Sequence, residues 1–416
     1  MAVESAAADR TIATDACVVG AGPVGLLAAL ALGRRGREIT LLERRPAPDP
    51  DGPPPPGPAV VNIVQPVTLH LLDQIGVLGR LTEGAGVIPG AEIFFGPHLA
   101  ARHLYEELDG SPVPHALSIR AFDLVRLLLA ELAALPNVTV LWEAETLALT
   151  TDEDGDRTTL TVRTPAETVA VDARFVLAAD GRSSTIRELA GIPAEVVPST
   201  GSYLDVVVPS PPDWDGMARA HFGPHGYLLE TRRAEEGLVL VWITDAATAA
   251  QVTEGPVQGL VETLSGVVPR LADWIARHVT DWDQVRRVQH HFVRTKTWSR
   301  DGVVLVGDSA HGMHAFGGQG LNTSLQDAAC LAKLVDEALA GGSAAGIEEY
   351  EALRRPFIEA FQSLQVSNTQ QPPAGAADEG ERAPEFEVLA LGQPAVRARI
   401  SDAAAFLAAP GTPQGR

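Results

Sequence analysis

The sequence predicts an α/β protein in which a Rossmann-like nucleotide-binding unit carries an inserted antiparallel sheet and is followed by C-terminal helices. Three observations predict this fold. Residues 14–43 have the pattern of a strand, a glycine-rich turn, a helix and a second strand. Two later apolar stretches, at 175–179 and 303–306, run directly into Asp-Gly and Gly-Asp pairs. Between them, residues 203–244 contain short strand patterns without intervening helices, as in an antiparallel sheet.

The composition is that of a globular protein without a nucleic-acid partner. Of 416 residues, 45% are hydrophobic and 20% are charged, and the length allows two or three domains. A net charge of −21 gives no basic surface for nucleic acid or for an anionic membrane. No signal-peptide pattern and no membrane-spanning stretch is found, so we expect a cytoplasmic protein. Cys17 and Cys330 lie in apolar segments, which predicts two core residues.

The first unit carries the dinucleotide-binding fingerprint in its required context. A strand at 15–19 enters the turn Gly20-Ala21-Gly22-Pro23-Val24-Gly25, and a helix and a second strand ending at Glu43 follow. We expect Gly20 to permit the tight turn, Gly22 to let the backbone approach a pyrophosphate and Gly25 to let the helix pack closely. Glu43 is placed to accept hydrogen bonds from a ribose.

The proline-rich stretch 46–58 predicts an exposed loop, either flanking a cofactor or forming a plain surface insertion. Further elements follow it. Helices are predicted at 67–76 and 120–135, and strands at 137–145, 158–163 and 168–173.

Asp180-Gly181 follows the apolar strand at 175–179. We predict that Ser183 or Ser184 caps a short helix there, and that Arg182 and Arg187 supply positive charge for phosphates. After the strands at 203–244, the pattern predicts a helix at 257–276 and strands within 285–298.

The stretch 303–327 has the features of half a flavin site. Its strand ends at Gly307-Asp308, which places a carboxylate at the carboxyl edge of the sheet. The glycine-rich turn at 317–320 leads into a helix that Asn322 and Thr323 are predicted to cap. Glycines admit a ligand close to the backbone, and a helix N-terminus favours negative charge.

His311 and His314 lie in the same stretch, but no third ligand accompanies them, and we predict no metal. An amphipathic helix is predicted at 348–364. The tail from Gln370 is rich in Pro, Ala and Glu, and its end from about Ala408 is expected to be disordered.

The three motifs, in this order, resemble those of the single-component FAD-dependent aromatic hydroxylases, the group A or p-hydroxybenzoate hydroxylase-like family. The resemblance covers about residues 14–365 and implies a GR2-type FAD-binding fold. The domains that it implies are a discontinuous FAD-binding domain (14–75, 110–190 and 285–345), a substrate domain (76–109 and 191–284), a C-terminal helix (346–370) and a tail (371–416).

The resemblance implies FAD as cofactor and NADPH or NADH as a transient co-substrate. The ribityl chain would lie near Asp308, and the pyrimidine end would face the helix start at Gly320, whose dipole would stabilise reduced flavin. The implied cofactor-binding residues are Gly20, Gly22, Pro23, Val24, Gly25, Glu43, Arg44, Arg120, Asp180, Gly181, Asp308, Gly318, Gly320, Leu321 and Asn322.

The implied activity is hydroxylation of an aromatic or polyketide-like small molecule by a flavin hydroperoxide formed from O2, in secondary metabolism such as antibiotic biosynthesis. The protein would be a monomer or a homodimer without nucleic-acid or membrane partners. No catalytic residue is identified; His221, Tyr227, His291 and His314 are pocket candidates by location only.

Two departures from the family pattern stand out. Met313-His314-Ala315-Phe316 occupies a place where the family commonly has prolines, which leaves the exact reaction open. Pro58 aligns where the family often has an arginine, so Arg44, Arg45 or Arg120 would supply that charge.

Alternatives of the same fold are an epoxidase and a Baeyer–Villiger oxygenase, and an alternative of another class is a non-catalytic flavin-binding protein. An isoprenoid double-bond reductase would differ by turning over without oxygen. A flavin halogenase is disfavoured, since the chain has no Trp-x-Trp-x-Ile-Pro segment and its lysines are only Lys296 and Lys333.

Overall fold

The structure is a computed structural model that describes residues 8–49, 52, 61–198, 201–224, 226–233, 237–288, 291–341, 346–370, 388, 390 and 394–408. Several sequence predictions concern residues outside these ranges. They are most of the proline-rich loop with Pro58, most of the tail between residues 371 and 393, and the chain end from residue 409.

The strands, in chain order, are β1 (Arg10–Val19), β2 (Ile39–Glu43), β3 (Val61–Val64), β4 (Gly86–Ile88), β5 (Gly90–Phe95), β6 (His98–Leu104), β7 (Ala116–Arg120), β8 (Val138–Trp142), β9 (Glu145–Thr151), β10 (Thr158–Arg163), β11 (Thr168–Ala178), β12 (Ala194–Pro198), β13 (Gly201–Pro209), β14 (Ala218–Gly223), β15 (Gly226–Arg233), β16 (Gly237–Asp245), β17 (Val285–Val288), β18 (His291–Thr295), β19 (Ser299–Arg300) and β20 (Val303–Leu305).

The α-helices are α1 (Pro23–Gly33), α2 (Pro66–Gln74), α3 (Leu78–Glu83), α4 (Ala121–Leu132), α5 (Thr185–Leu189), α6 (Ala246–Thr253), α7 (Gln258–Val267), α8 (Ala272–His278), α9 (Asp308–His311), α10 (Gly320–Leu339), α11 (Gly346–Gln370) and α12 (Pro394–Leu407). Short 3₁₀ helices occur at Tyr105–Glu107, Pro269–Leu271, Trp282–Gln284 and Phe316–Gly318. None of the helices that the structure describes is both long and apolar enough to cross a membrane.

The first sheet has the order β19-β20-β11-β1-β2-β8, with β10 and β9 added antiparallel beside β11. Its strands β20, β11, β1, β2 and β8 run parallel. Helices α4 and α10 pack against α1, which follows β1. Helices cover this sheet, and β2 is buried along its whole length. Parallel strands that are covered on both faces are mostly apolar.

The second sheet has seven strands in the order β17-β13-β16-β15-β14-β5-β6. Its pairs are antiparallel except β14 with β5. Helices α6, α7 and α8 cover one face, where Leu228 and Trp242 meet Leu260 and Ile275. The predicted α/β class, with a nucleotide-type parallel sheet, a separate largely antiparallel sheet and C-terminal helices, is confirmed.

Two predicted elements have different limits in the structure. The stretches at 168–173 and 175–179 form one strand, β11, because it first pairs with β10 and then enters the core of the parallel sheet. The helix predicted at 257–276 is interrupted between α7 and α8, because Pro269 has no backbone N–H to continue the hydrogen-bond ladder.

The structure differs from the predicted domains at residue 285 and in the tail. Strand β17 pairs with β13, so it belongs to the antiparallel sheet, although the predicted boundary at residue 285 groups it with the nucleotide segments. The tail contains α12, which was not predicted. It packs on α2 and α10 through Ile400, Ala403 and Leu407.

Candidate functional site

A cavity of about 390 Å³ lies between the carboxyl edge of the parallel sheet and the second sheet. Ten of the residues predicted for the site line it. Eight come from the glycine-rich segments and two from the pocket candidates: Gly22, Pro23, Val24, Gly181, Asp308, Gly318, Gly320 and Leu321, with Tyr227 and His314. The sequence motifs and the inserted sheet therefore meet at one cavity.

In the first glycine turn, close contacts leave no room for a side chain at Gly20 and Gly25, whereas the space beside Gly22 is open. A Cβ on Gly20, which has φ +107°, would lie 2.5 Å from the Ala179 carbonyl oxygen. A Cβ on Gly25 would lie 1.9 Å from the Gly20 oxygen. By contrast, a Cβ on Gly22 would meet no atom within 4 Å. Gly22 precedes α1, whose first N–H groups have no partner within the helix, so this turn offers donors to an anion.

Glu43 lies buried at the end of β2, directly beside this turn. Its carboxylate accepts hydrogen bonds from the Ala21 N–H at 2.8 Å and from the Arg45 backbone and guanidinium at 3.0 and 2.9 Å. Burial would raise the pKa of Glu43, but these hydrogen bonds lower it below the usual range. Arg44, the residue named from the sequence, points into solvent, and Arg45 makes the contact instead.

Arg120 lies at the N-terminus of α4 and pairs with Asp123 at 2.6 Å. It lines a different, larger cleft of about 900 Å³, together with Pro48, Arg126 and Trp142. The next residue, Ala121, lines the cavity. Arg120 is thus beside the cavity but does not face it.

The Asp180-Gly181 segment ends β11 at the cavity. Asp180 accepts a hydrogen bond from the Ile186 N–H at 3.1 Å, and burial raises the pKa of its carboxyl. Ser184 caps α5 by accepting from the Arg187 N–H at 3.0 Å, which confirms one of the two serine caps considered. Gly181 lines the cavity with open space at its Cβ position.

Of the two arginines expected to serve phosphates, Arg182 lines the cavity. It pairs with Asp308 at 2.9 Å and donates to the Met313 carbonyl at 2.8 Å. The expectation for Arg187 is wrong, because its guanidinium is buried and donates to the carbonyls of Ser309 and Arg182. Arg187 thus ties the Asp180 segment to the Asp308 segment.

The second glycine turn leads into α10 at the cavity. The helix begins at Gly320 after Gln319, so the prediction that Asn322 and Thr323 cap it is wrong; both lie in its first turn. The Asn322 amide donates to the carbonyls of Ile63 and Gly318, and its oxygen accepts from the Gln65 N–H. The buried side chain of Asn322 therefore holds the turn to β3. Its backbone is part of the first turn of α10.

The Met313–Phe316 segment is held by helix α11. The Gln365 amide donates to the carbonyls of His314 and Phe316 at 2.7 and 2.6 Å and accepts from the His314 N–H at 3.1 Å. Gln362 donates to the carbonyls of Val293 and Gly312. Two buried glutamines thus fix the cavity wall in a segment that contains no proline.

His314 is buried in this wall. Its Nδ1 accepts from the Phe316 N–H at 3.1 Å, so the neutral ring carries its proton on Nε2. Burial, together with the charge of Arg182, lowers the pKa of His314 to about 4. The ring is therefore neutral at physiological pH.

His311 has a structural role, away from the cavity. Its Nε2 lies 2.5 Å from the Asp327 carboxylate, which also pairs with Arg354 at 2.6 Å. All three side chains are buried and join α9, α10 and α11. Among the described residues, no group of three or more His, Cys, Asp or Glu side chains is arranged to hold a metal ion.

The wall formed by the second sheet is mainly apolar and aromatic. Tyr227 packs edge-on against Phe316 with ring centroids 4.8 Å apart, next to the second glycine turn. Leu229, Val241 and Ile243 continue this wall. Burial raises the pKa of Tyr227 above its ordinary range, so its hydroxyl stays protonated.

Two of the four pocket candidates do not face the cavity. His221 pairs with Leu228 across the strands and lies on the opposite face of the sheet, where it is bonded to Glu230 and stacked on Phe94. His291 lies in the two-stranded ribbon of β18 with β12, opposite Pro198. Neither residue lines the cavity.

The structure adds polar cavity residues that the sequence analysis missed. Arg286 forms a two-point ion pair with buried Asp205, at 2.8 and 2.9 Å, and lies beside Tyr203. Thr231 follows Tyr227 and Leu229 on the same side of β15. A strand's alternation normally reveals its cavity side, but β16 is buried on both faces from Gly237 to Thr244, so no alternation appears there.

The chain is similar to known flavoproteins along most of its length. A model of the FAD binding domain family matches residues 13–364. Protoasukamycin 4-monooxygenase from Streptomyces nodosus subsp. asukaensis is 32% identical over 359 residues, which cover 85% of this chain and 86% of that protein. 6-Methylpretetramide 4-monooxygenase from Streptomyces rimosus is 29% identical over 359 residues, covering 85% and 83%.

A solved structure shows the same fold. PqsL, a probable FAD-dependent monooxygenase from Pseudomonas aeruginosa, superposes with a TM-score of 0.75 at 21% identity, covering 94% of this chain and 99% of that chain. At this identity the likeness establishes the fold alone.

Proposed function

Because this chain belongs to the group A family of FAD-dependent aromatic hydroxylases and is an FAD-dependent, NAD(P)H-using monooxygenase, we propose that it uses O2 to hydroxylate an uncharged aromatic or polyketide-like molecule. The observation that carries the proposal is the cavity itself. One wall is made of open glycine turns and a helix start, and the other is an aromatic and apolar sheet.

The residues of the first wall fit FAD. Gly22, Gly181 and Gly320 line the cavity, and a Cβ on any of them would meet no protein atom within 4 Å. This row of backbone without side chains leaves room for an extended dinucleotide. The N-termini of α1 and α10 supply N–H donors at two points of the cavity, suited to the pyrophosphate and to negative charge on a reduced ring.

The side chains contribute alignment and shielding. Bound FAD would supply hydride acceptance from NAD(P)H and the activation of O2, chemistry that side chains lack. Tyr227, Phe316 and Ile243 exclude water from the reacting end of the cavity. His314 remains neutral there, with its proton on Nε2, so it adds no charge beside the substrate.

The charges of the cavity favour a substrate without a carboxylate. Among the described lining residues, each basic side chain is neutral or already paired. Arg182 pairs with Asp308, Arg286 with Asp205, and His314 has a pKa of about 4. A buried carboxylate would need an available cation, because an uncompensated buried charge is costly. Phenols and polycyclic polyketides satisfy this condition.

The relatives support a role in antibiotic biosynthesis. Two of them are named for oxidation of protoasukamycin and of 6-methylpretetramide, and both come from Streptomyces. We extend this class of substrate to the present chain. We also place it in the cytoplasm, as a monomer or a homodimer, which fractionation and size-exclusion chromatography with light scattering would test.

We assign the two functions to two domains. Residues 14–75, 110–190 and 285–345 would bind FAD, with NAD(P)H docking transiently. Residues 76–109 and 191–284, joined by β17, would bind the substrate, since β13, β15, β16 and β17 supply the apolar wall. Helix α11 (within 346–370) would brace the cavity through Gln365.

The test is NAD(P)H consumption by the FAD-loaded enzyme with uncharged phenols and naphthols, compared with the corresponding aromatic carboxylates. Stimulation by the uncharged compounds, with one oxygen atom from ¹⁸O2 in a hydroxylated product, would support the proposal. An epoxide as product would show that the enzyme is an epoxidase, and a ring-expanded ester would show that it is a Baeyer–Villiger oxygenase. Stimulation only by carboxylates would contradict the proposed substrate.

A further inference from the structure

Thr231 is a buried polar residue in the apolar wall of the cavity. Its side chain is fully buried, and its hydroxyl has no hydrogen-bond partner among the residues that the structure describes. A buried hydroxyl without a partner costs about 1–3 kcal/mol relative to one that is bonded. Because Thr231 also lines the cavity, a ligand there is placed to supply the missing partner.

Thr231 lies far from the glycine-lined end. Residues 227, 229 and 231 alternate along β15 and share its cavity face. Tyr227 is the member that touches Phe316, beside the second glycine turn. Four residues of extended strand separate Tyr227 from Thr231, a distance of about 14 Å. The cavity therefore has an aromatic end near the glycine turn and a hydroxyl at its remote end.

We propose that the Thr231 hydroxyl binds an oxygen atom of the substrate, a carbonyl or a hydroxyl, at the end remote from the reacting ring. This inference rests on the proposed function and narrows its substrate class. The substrate is an elongated aromatic molecule, a fused ring system or a ring with a chain, that carries an uncharged oxygen at its far end. A single benzene ring is too short to reach from Tyr227 to Thr231.

The surroundings of Thr231 favour an uncharged oxygen over a carboxylate. On the same face of the sheet, Leu229 and Val241 are apolar, and Arg286 is already paired with Asp205. A threonine hydroxyl both donates and accepts, so it serves a carbonyl and a hydroxyl equally. It distinguishes a substrate with the remote oxygen from one without it, because the latter leaves the hydroxyl unbonded.

The test uses two probes that differ only in the remote oxygen: 2,6-dihydroxynaphthalene and 2-naphthol. Their dissociation constants for the FAD-loaded protein are measured from the perturbation of the flavin absorption spectrum. We expect the wild type to bind 2,6-dihydroxynaphthalene about tenfold more tightly, the size of one hydrogen bond. Thr231→Val removes the hydroxyl and should abolish this preference, whereas Thr231→Ser should keep it.

Thr146→Val is the matched control. Thr146 in β9 is also buried with an unbonded hydroxyl, but it does not line the cavity. Both valine variants remove an unbonded buried hydroxyl, so both apoproteins should unfold at or above the wild-type temperature. Only the Thr231 variant should lose the preference between the probes.

The outcomes separate this inference from the proposed function. Equal affinity of the wild type for the two probes, or a preference that survives in Thr231→Val, overturns the role of Thr231 and leaves the proposed function standing. Failure of both probes to bind FAD-loaded wild type overturns the proposed substrate class together with this inference. The wild-type comparison needs no variant to fold.

Discussion

The side-chain amide of Gln365 pairs with the backbone of His314, donating to its carbonyl at 2.7 Å and accepting from its N–H at 3.1 Å. Gln365 lies on α11, whereas His314 lies in the cavity wall, 51 residues earlier in the chain. Prolines stiffen a segment by fixing φ. Here a glutamine from a distant helix performs that task by bonding the backbone.

Replacing Gln365 by Leu should loosen this wall. The change removes the hydrogen bonds that the Gln365 amide makes with the carbonyls of His314 and Phe316 and with the His314 N–H, and each lost bond to a buried group costs about 1–3 kcal/mol. We expect the free energy of unfolding of the apoprotein to fall by at least about 2 kcal/mol, and FAD to dissociate faster. Denaturant unfolding and flavin fluorescence measure the two effects.

Ser363→Ala on the exposed side of the same helix is the control. It should change neither quantity by more than about 0.5 kcal/mol. Wild-type stability and FAD retention in Gln365→Leu would show that the wall does not depend on this contact.

The stability of the protein should depend on pH through His314. Its pKa is lowered from 6.5 to about 4 in the folded state, chiefly by burial. Between these values the unfolded chain binds a proton that the folded protein does not, so stability is complete above pH 6.5 and is lost as the pH falls towards 4. The loss amounts to about 3 kcal/mol.

His314→Asn keeps an acceptor near Nδ1 and removes the titrating group. The difference in unfolding free energy between wild type and this variant should therefore change in favour of the variant from pH 7 to pH 4.5. His98→Gln, at an exposed histidine, is the control. A constant difference between wild type and His314→Asn over this range would refute the buried neutral histidine.

Two glycines of the first turn should respond differently to alanine. At Gly25 a Cβ would lie 1.9 Å from the Gly20 oxygen, so Gly25→Ala should disrupt the turn and destabilise the apoprotein. At Gly22, where φ is −75° and a Cβ meets no protein atom, Gly22→Ala should leave apoprotein stability unchanged. Its methyl group would occupy space expected for FAD, raising the FAD dissociation constant at least about tenfold.

Fluorescence titration with FAD and thermal unfolding of each apoprotein test this pair. FAD binding by Gly22→Ala with wild-type affinity would place the pyrophosphate elsewhere.

The strand–turn–helix–strand unit of residues 14–43 could be predicted from the sequence because its signals are local. The glycine turn, the apolar strands and the acid at Glu43 lie within 30 residues of one another, and each constrains its neighbours directly. The partners of these residues could not be predicted, because they depend on side-chain direction. Arg45 rather than Arg44 reaches Glu43, and Arg187 turns inward to bond the Ser309 carbonyl.

The apolar wall that the second sheet contributes to the cavity could hardly be predicted from the sequence. His221 in β14 and Tyr227 in β15 occupy neighbouring positions of the paired strands, but their side chains lie on opposite faces of the sheet because side chains alternate along a strand. The sequence does not give the register of the two strands, so this difference could not be predicted. Thr231 and Arg286 belong to segments without any motif. Their role depends on which face of the sheet the helices α6–α8 cover, a tertiary choice that local patterns do not encode.

The ion pair between Arg286 and Asp205 should control the charge preference of the cavity. Asp205→Asn frees the guanidinium of Arg286, so the variant should bind 2-naphthoate more tightly than wild type does, at little gain for 2-naphthol. Arg286→Met leaves Asp205 buried and unpaired and should cost about 3–5 kcal/mol of stability.

Flavin-perturbation titrations and denaturant unfolding check these values. Asp205→Leu combined with Arg286→Met should recover most of the lost stability, since it removes both charges. Tight binding of 2-naphthoate by the wild type would contradict the conclusion that the basic side chains of the cavity are neutral or already paired.

The most direct test of the account is the visible absorption spectrum of the purified wild-type protein, followed by denaturation and identification of the released cofactor. The cavity formed by Gly22, Gly181 and Gly320 predicts flavin bands and about one FAD released per chain. A protein that stays colourless after incubation with excess FAD and gel filtration would contradict the cofactor site, and the proposed hydroxylation with it.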